Sequence, residues 1–437
     1  MELARTVEVL DLIGEPRSPA DSIGPPAGRQ NSTERDRPQT RSLVDLTVAL
    51  VFALSVGTVV WNVQHSMDAR FFIDPAGNDV WFEGDLPTVA DRVLHRWSEQ
   101  SRNARHPLVP LLATTSAYAL RDAGLGDRSI LALLSAVAGA MWVALFYVIA
   151  RSLTRHRLDA IVFTLLACST SSAIFWLVVP ETYALGSLTL LAPLALCAVD
   201  VDRRFGAGWY IAVSAVSLSV TTTNWMSGIF TAAASWPWRR ALQITANALS
   251  VVVVLWVVQR TIFPTAPFFY GYSNEQRFLL PPASGGPGPV MRVLFFHTIV
   301  MPHVALIPEP KWGTAMSVQH SSLGSSGAWG VAATTLWAAL LVSTLFGLWT
   351  SGGHRRFRFV LAATIAGQVL LHLLYGEETF LYVLHVAPLL ILAAALAAAS
   401  TTWRRAILVL ALALAFTGGV NNAWQLRTAL AFFSRTS

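Results

Sequence analysis

Charge is scarce in this chain: of 437 residues only 13% are Asp, Glu, Lys or Arg, while 54% are hydrophobic. Soluble domains carry about 25% charged residues, so two or three ordinary globular domains are excluded. Lysine is almost absent, and the formal net charge of +6 is carried by arginine. On a chain of long apolar runs such an excess marks the loops on one side of a membrane, and no nucleic-acid partner is expected. Cysteine is nearly missing as well. Cys168 and Cys197 both lie inside apolar runs, where a thiol is a small packed hydrophobe, so neither a disulfide framework nor a metal–thiolate centre is expected. With a mean hydropathy of +0.51, the chain reads as a polytopic membrane protein. Its first apolar run begins at Leu43 behind a polar tail, with no small-residue cleavage site after it, and reads as a retained span.

The tail, residues 1–41, mixes acids, arginines, prolines and serines without periodicity and is expected to be disordered and cytoplasmic. Residues 42–433 read as one all-α transmembrane domain. Crossing roughly 30 Å of hydrocarbon takes about 20 helical residues. Eleven runs reach or approach that length: 43–63, 129–150, 160–179, 183–199, 209–222, 226–236, 242–263, 328–349, 359–374, 380–399 and 407–424. The run 107–120 reaches only about 21 Å and is read as an interfacial or re-entrant helix. Omitting it places the clusters Arg151/Arg155/Arg157, Arg203/Arg204, Arg239/Arg240, Arg355/Arg356/Arg358 and Arg404/Arg405 on the side of the tail, as the positive-inside rule requires. The C-terminus is then external. Residues 209–236 read as two short helices meeting at 223–225; a single tilted span there would invert everything downstream.

Two long outer segments, 64–128 and 264–327, and short outer corners at 180–182, 223–225 and 376–378 collect the acids, histidines and aromatics. Ionisable residues are nearly absent at mid-depth, where they would mark an ion pathway, so chemistry is expected at the outer surface. The first loop runs Asn78-Asp79-Val80-Trp81-Phe82-Glu83-Gly84-Asp85-Leu86-Pro87, continues as an amphipathic helix through Arg92, Arg96 and Trp97, and ends at Arg105-His106-Pro107. Carboxylates near an apolar boundary are partly desolvated, which suits them to take a proton from a hydroxyl. By residue pattern alone, Asp85 is either such a base or the cap of the helix that begins near Pro87, and Asp79 and Glu83 are either site residues or solvated acids.

A first span followed by an Asp-containing outer loop, a juxtamembrane helix and the segment His106-Pro107-Leu108-Val109-Pro110-Leu111-Leu112 resembles the GT-C superfamily of polyprenyl-phosphate-dependent glycosyltransferases, which includes protein mannosyltransferases and aminoarabinose transferases. The likeness extends to 180–185 (PETYAL), 221–228 (TTTNWMSG) and 376–390 (GEETFLYVLHVAPLL). It implies an all-α GT-C-like fold of about eleven transmembrane helices. It also implies an inverting transfer from a polyprenyl-phosphate sugar, with Asp85, and Asp79 second, as the base. Two departures leave the acceptor open: His106 stands where the family's motif has a doubled proline, and there is no large appended outer domain.

An anionic leaving phosphate calls for arginine or histidine. Candidates are Arg105, His106, Arg277, Arg292 and His297, each alternatively a snorkelling or interfacial residue, with the apolar stretch 293–301 dipping into the interface beside the prenyl chain. Glu181 and Glu378 either bind sugar hydroxyls or complement helix dipoles. Asn224 and Trp225 either hold the sugar or anchor the interface, and His385 bonds across helices. Glu83 and Asp85 are spaced to hold a divalent cation through oxygens, but many family members need no metal, so no cofactor is assigned. A transporter or lipid flippase would need polar midplane groups and an internal repeat, which the sequence does not offer. A catalytically silent scaffold remains the other alternative. The arginine- and alanine-rich, lysine-poor composition points to a GC-rich bacterium, hence to its cytoplasmic membrane with the active face outside.

Overall fold

In hydrocarbon every backbone N–H and C=O must be paired within its own segment, so the long Ala/Leu/Val runs become helices. The structure is a computed structural model that describes residues 43–98, 105–201, 204–267, 278–309, 313–350, 353–400 and 402–436. The tail 1–41 and Arg277 lie outside them. The helices are α1 (Leu43–Ser66), α2 (Arg70–Ile73), α3 (Leu86–Leu94), α4 (Thr115–Asp122), α5 (Asp127–Leu153), α6 (Arg157–Ser169), α7 (Ser171–Trp176), α8 (Thr182–Val199) and α9 (Ala207–Val220). They continue as α10 (Trp225–Ser235), α11 (Trp238–Ile262), α12 (Pro287–Arg292), α13 (Ala328–Thr350), α14 (Arg355–Leu374), α15 (Val383–Ser400), α16 (Arg404–Leu430) and α17 (Phe432–Thr436). A hairpin of β1 (Ala305–Glu309) and β2 (Gly313–Ser317) pairs antiparallel, Ala305 opposite Ser317.

Among the described residues, eight helical segments are long and apolar enough to cross a bilayer: Leu43–Ser66, Asp127–Leu153, Thr182–Val199, Trp238–Ile262, Ala328–Trp349, Arg355–Leu374, Thr379–Ala399 and Arg404–Leu430. The three remaining expected segments are shorter helices. The run 160–179 breaks at Thr170 into α6 and α7, and Thr170 caps α7 by accepting the Ala173 N–H at 3.2 Å. The runs 209–222 and 226–236 are α9 and α10, joined by a 3₁₀ turn at Thr222–Asn224. They fold back on each other rather than forming one span: a Cβ on Gly228 would lie 2.8 Å from Ser214 Cα.

The segment Thr379–Ala399, which contains α15, is the central strut, 94% of its apolar window being buried inside the protein. The run 107–120 is a π-helical turn, Pro110–Thr114, continued by α4. It is tucked against α9 and α11: Leu108 N–H donates to the Ser219 carbonyl at 2.8 Å, and Gln259 both donates to the Pro107 carbonyl (2.8 Å) and accepts from Leu111 N–H (3.1 Å). In the first loop α3 buries Leu86, Val89, Ala90 and Val93 and ends at Leu94, so Arg96 and Trp97 lie beyond the helix.

The stretch 293–301, expected to dip into the interface beside the prenyl chain, is packed inside the protein instead. Val293, Leu294 and Thr298–Met301 are buried in protein. Asn422 of α16 accepts the Met301 N–H (2.7 Å) and donates to the Ile299 and Ser169 carbonyls (both 2.8 Å), and Asn421 donates to the Met301 carbonyl (2.8 Å). An irregular backbone is tolerated at this depth because these amides satisfy it.

Candidate functional site

The first outer loop is shaped by burying two adjacent aromatic side chains. Trp81 and Phe82 are fully buried, Trp81 edge-on to Phe71 at 5.5 Å and Phe82 against Phe380 at 4.9 Å. To place both, the backbone is left-handed at Asp79, Phe82 and Glu83 (φ 63°, 52° and 60°), a sparsely populated region for residues with a Cβ. Such strain persists where the surroundings over-determine it, and it clusters at functional sites. The turn carries Glu83 to the corner between α14 and α15, where the Glu378 N–H donates to Glu83 Oε2 at 3.1 Å.

Burial raises the Glu83 carboxyl to about 8, reinforced by repulsion from Glu378, Glu377 and Asp79. Burial also raises Glu378, to about 7, against the lowering effect of bonds from the Ser317 hydroxyl and the Phe380 N–H. Both groups therefore titrate near neutral pH, where each accepts a hydrogen bond when ionised and can also donate one when protonated.

The β-hairpin fastens the corner. Met316 N–H donates to the Val80 carbonyl (2.9 Å). Gln319 accepts the Thr379 N–H (2.9 Å), donates to the Ser284 carbonyl (2.7 Å), and offers its own carbonyl to Arg292 Nη2 (3.3 Å). Through Met316 the hairpin holds the first outer loop, and through Ser317 and Gln319 it holds the second outer loop and the Glu378 corner; the polar but ordinary sequence context of Ser317 and Gln319 gave no signal.

Beside this acid cluster lies a seam of polar groups. The Val220 carbonyl can only accept, so His106 Nδ1, 2.7 Å from it, carries a proton; Nε2 faces Thr182 Oγ1 at 3.3 Å. Glu181 is buried and caps α8 by accepting the Thr182 N–H at 2.9 Å. Asn224 is fully buried, donating to the Gly186 carbonyl (2.9 Å) and accepting from Gln368 (3.0 Å). His385 is buried on the same glycine: a Cβ on Gly186 would lie 2.7 Å from its Nε2. Trp176 joins seam to cluster, approaching Gly84 on one side and Tyr183 on the other (ring centroids 5.4 Å) while donating to the Phe380 carbonyl at 2.9 Å.

Asp85 stands at the start of α3. Its carbonyl takes the Val89 N–H at 2.9 Å, but its side chain makes no capping bond, so capping does not account for the carboxylate. The Arg105 guanidinium lies over the Phe278 ring at 5.3 Å. His297 is buried, and burial together with Arg292 pulls it down to about 3, so it can offer a hydrogen bond but not a charge. Trp225 donates its indole N–H to Ser214 of α9 at 3.0 Å, which commits that group to helix pairing. Among the described residues no group of three or more His, Cys, Asp or Glu side chains is placed to hold a metal ion.

No protein-family model matches the sequence, and no curated protein is significantly similar to it. Comparison of folds gives a different result. The fold resembles that of ArnT. The crystal structure of ArnT from Cupriavidus metallidurans bound to undecaprenyl phosphate superposes with a TM-score of 0.53 at 15% identity, over 82% of this chain and 61% of that one. The chain therefore spans about three fifths of ArnT's length, and the fold is what the two share. Sharing ArnT's fold does not by itself transfer its chemistry, which resides in the site.

Proposed function

We propose that the chain is an integral membrane glycosyltransferase of GT-C type that transfers a sugar, with inversion, from a polyprenyl-phosphate donor to an acceptor at the outer face of a bacterial cytoplasmic membrane. The observation that carries this reading is the gathering of Asp79, Glu83, Glu377 and Glu378 in one partly desolvated corner, in a fold like that of a protein captured with a polyprenyl phosphate. Burial raises Glu83 and Glu378 to about 8 and about 7, and the hydrogen bond from the Glu378 N–H to Glu83 holds the corner together. The resemblance to the GT-C superfamily assigns the acceptor's hydroxyl proton to Asp85, with Asp79 second. The acceptor oxygen then bonds to the anomeric carbon while the bond from that carbon to the phosphate oxygen breaks, and the lipid phosphate departs with the electron pair. Arg105 and Arg292, together with Arg277, are the cations available to that phosphate, and His297 donates a hydrogen bond as a neutral ring. Glu83, Glu378, His106, Glu181, Asn224 and His385 form the polar wall against which sugar hydroxyls are oriented, while Trp225, expected to hold the sugar or anchor the interface, pairs α10 with α9.

The test is a comparison of lipid extracts from a wild-type strain and an Asp85→Asn strain expressing equal amounts of protein. The variant is expected to accumulate a polyprenyl-phosphate sugar. Identical lipid pools in Asp85→Asn, Asp79→Asn and wild-type strains would remove the transferase reading in favour of transport or scaffolding.

A further inference from the structure

At the end of α14 opposite Glu377 and Glu378, α13, α14 and α15 diverge around a groove of about 540 Å³, lined by Leu348, Arg355, Arg358, Ala362, Ile365 and Leu396 among others. None of the described lining residues is acidic. α14 has 20 residues, so about 30 Å of helix separates this groove from the acid cluster, and it is no part of the candidate site. The two arginines lie at one end and the apolar side chains follow down to Ile365. Ten residues of helix cover about 15 Å, the hydrocarbon depth of a single leaflet.

We propose that the groove is a binding site for an anionic glycerophospholipid of that leaflet, its phosphate held by Arg355 and Arg358 and one acyl chain laid along α14. Arg358 lines the groove and its Nη2 donates to the Leu348 carbonyl, which fixes the guanidinium, a planar group suited to phosphate oxygens, beside the groove. Arg356 is turned the other way, to the carbonyls of Asp200 and Val201, and takes no part. Basic pockets between transmembrane helices select anionic headgroups because the guanidinium charge is only partly screened there. The groove is also short, matching one acyl chain in one leaflet better than a long polyprenyl chain. The proposal depends on the membrane architecture and not on the transferase reading.

Native mass spectrometry of delipidated protein in neutral detergent tests it, with phosphatidylglycerol, phosphatidylcholine of the same acyl chains, undecaprenyl phosphate and inorganic phosphate as probes. Each arginine is expected to contribute roughly fivefold, so wild type should prefer phosphatidylglycerol over phosphatidylcholine by about 30-fold. Arg355→Gln/Arg358→Gln should bring the two lipids to parity, Arg355→Lys/Arg358→Lys should keep a preference, and Ala362→Phe, which fills the groove and leaves both arginines, should weaken both lipids. Equal binding of the two lipids by wild type, or unchanged binding in Ala362→Phe, would overturn the site. Stronger binding of undecaprenyl phosphate than of phosphatidylglycerol, or displacement of lipid by inorganic phosphate, would overturn the phospholipid assignment.

Discussion

Glu83 ionises late because it is buried beside other carboxyls, its pKa raised from 4.5 to about 8. With the folded value above the unfolded one, its contribution to stability is complete below pH 4.5 and is lost as pH rises through about 8, because the unfolded chain gives up this proton first. Thermal unfolding in detergent from about pH 5 to pH 9 should therefore show wild type weakening with pH and Glu83→Gln weakening less. Parallel curves would mean that Glu83 does not titrate in this environment. Asp85 poses a kinetic question. A positioned base contributes about 100-fold to 10,000-fold, so Asp85→Asn, nearly isosteric, should lose most transfer while expression and membrane insertion stay intact. Asp79→Asn should lose less. The reverse order in a transfer assay would assign the base to Asp79.

The break between α6 and α7 leaves backbone groups that only a neighbouring element can satisfy. Asn422 does so from α16, pairing with Met301, Ile299 and Ser169, and it ties the second outer loop to the bundle. Each buried group left unpaired costs about 1–3 kcal/mol, so Asn422→Ala should lower unfolding stability by several times the roughly 0.5 kcal/mol of an ordinary surface change. Thr428→Ala, at an exposed hydrogen bond on the same helix, is the control. Equal stability of the two variants in a thermal melt would show that water, not Asn422, serves those groups.

At the scale of the whole molecule, several of the arginine clusters are tied to neighbouring helix ends. Asp45 accepts from Arg151 and Arg157 (3.2 and 2.6 Å), Asp159 from Arg404 (2.5 Å), and the Asp200 carbonyl from Arg356 (2.8 Å). These helix ends are expected to face the cytoplasm. Cysteines introduced at Ser98 and Ser322 should both react with an impermeant thiol reagent added outside intact cells, and one at Gly353 should not. Opposite labelling of Ser98 and Ser322 would reject this orientation.

Amino-acid composition and the lengths of the apolar runs determined that this chain is an all-helical membrane protein, because the bilayer's thickness and its lack of hydrogen-bonding partners leave one solution. The same constraint made the helix pair α9–α10 legible, since 14 and 11 residues fall short of the bilayer. The site was only half legible. Acids in the outer loops stood out by their rarity, but nothing local distinguished Asp85 the base from Asp85 the cap, and nothing announced that Glu83 would meet Glu378 across 295 residues. Ser317 and Gln319 had no signal at all. Hydropathy acts within a segment, whereas the apposition of loops depends on aromatic packing around Trp81, Phe82 and Phe380 and on amides such as Gln319 and Asn422 that pair with distant backbone. Those partners exist only once the helices have packed, so the tertiary structure alone decided which acids stand together at the outer corner.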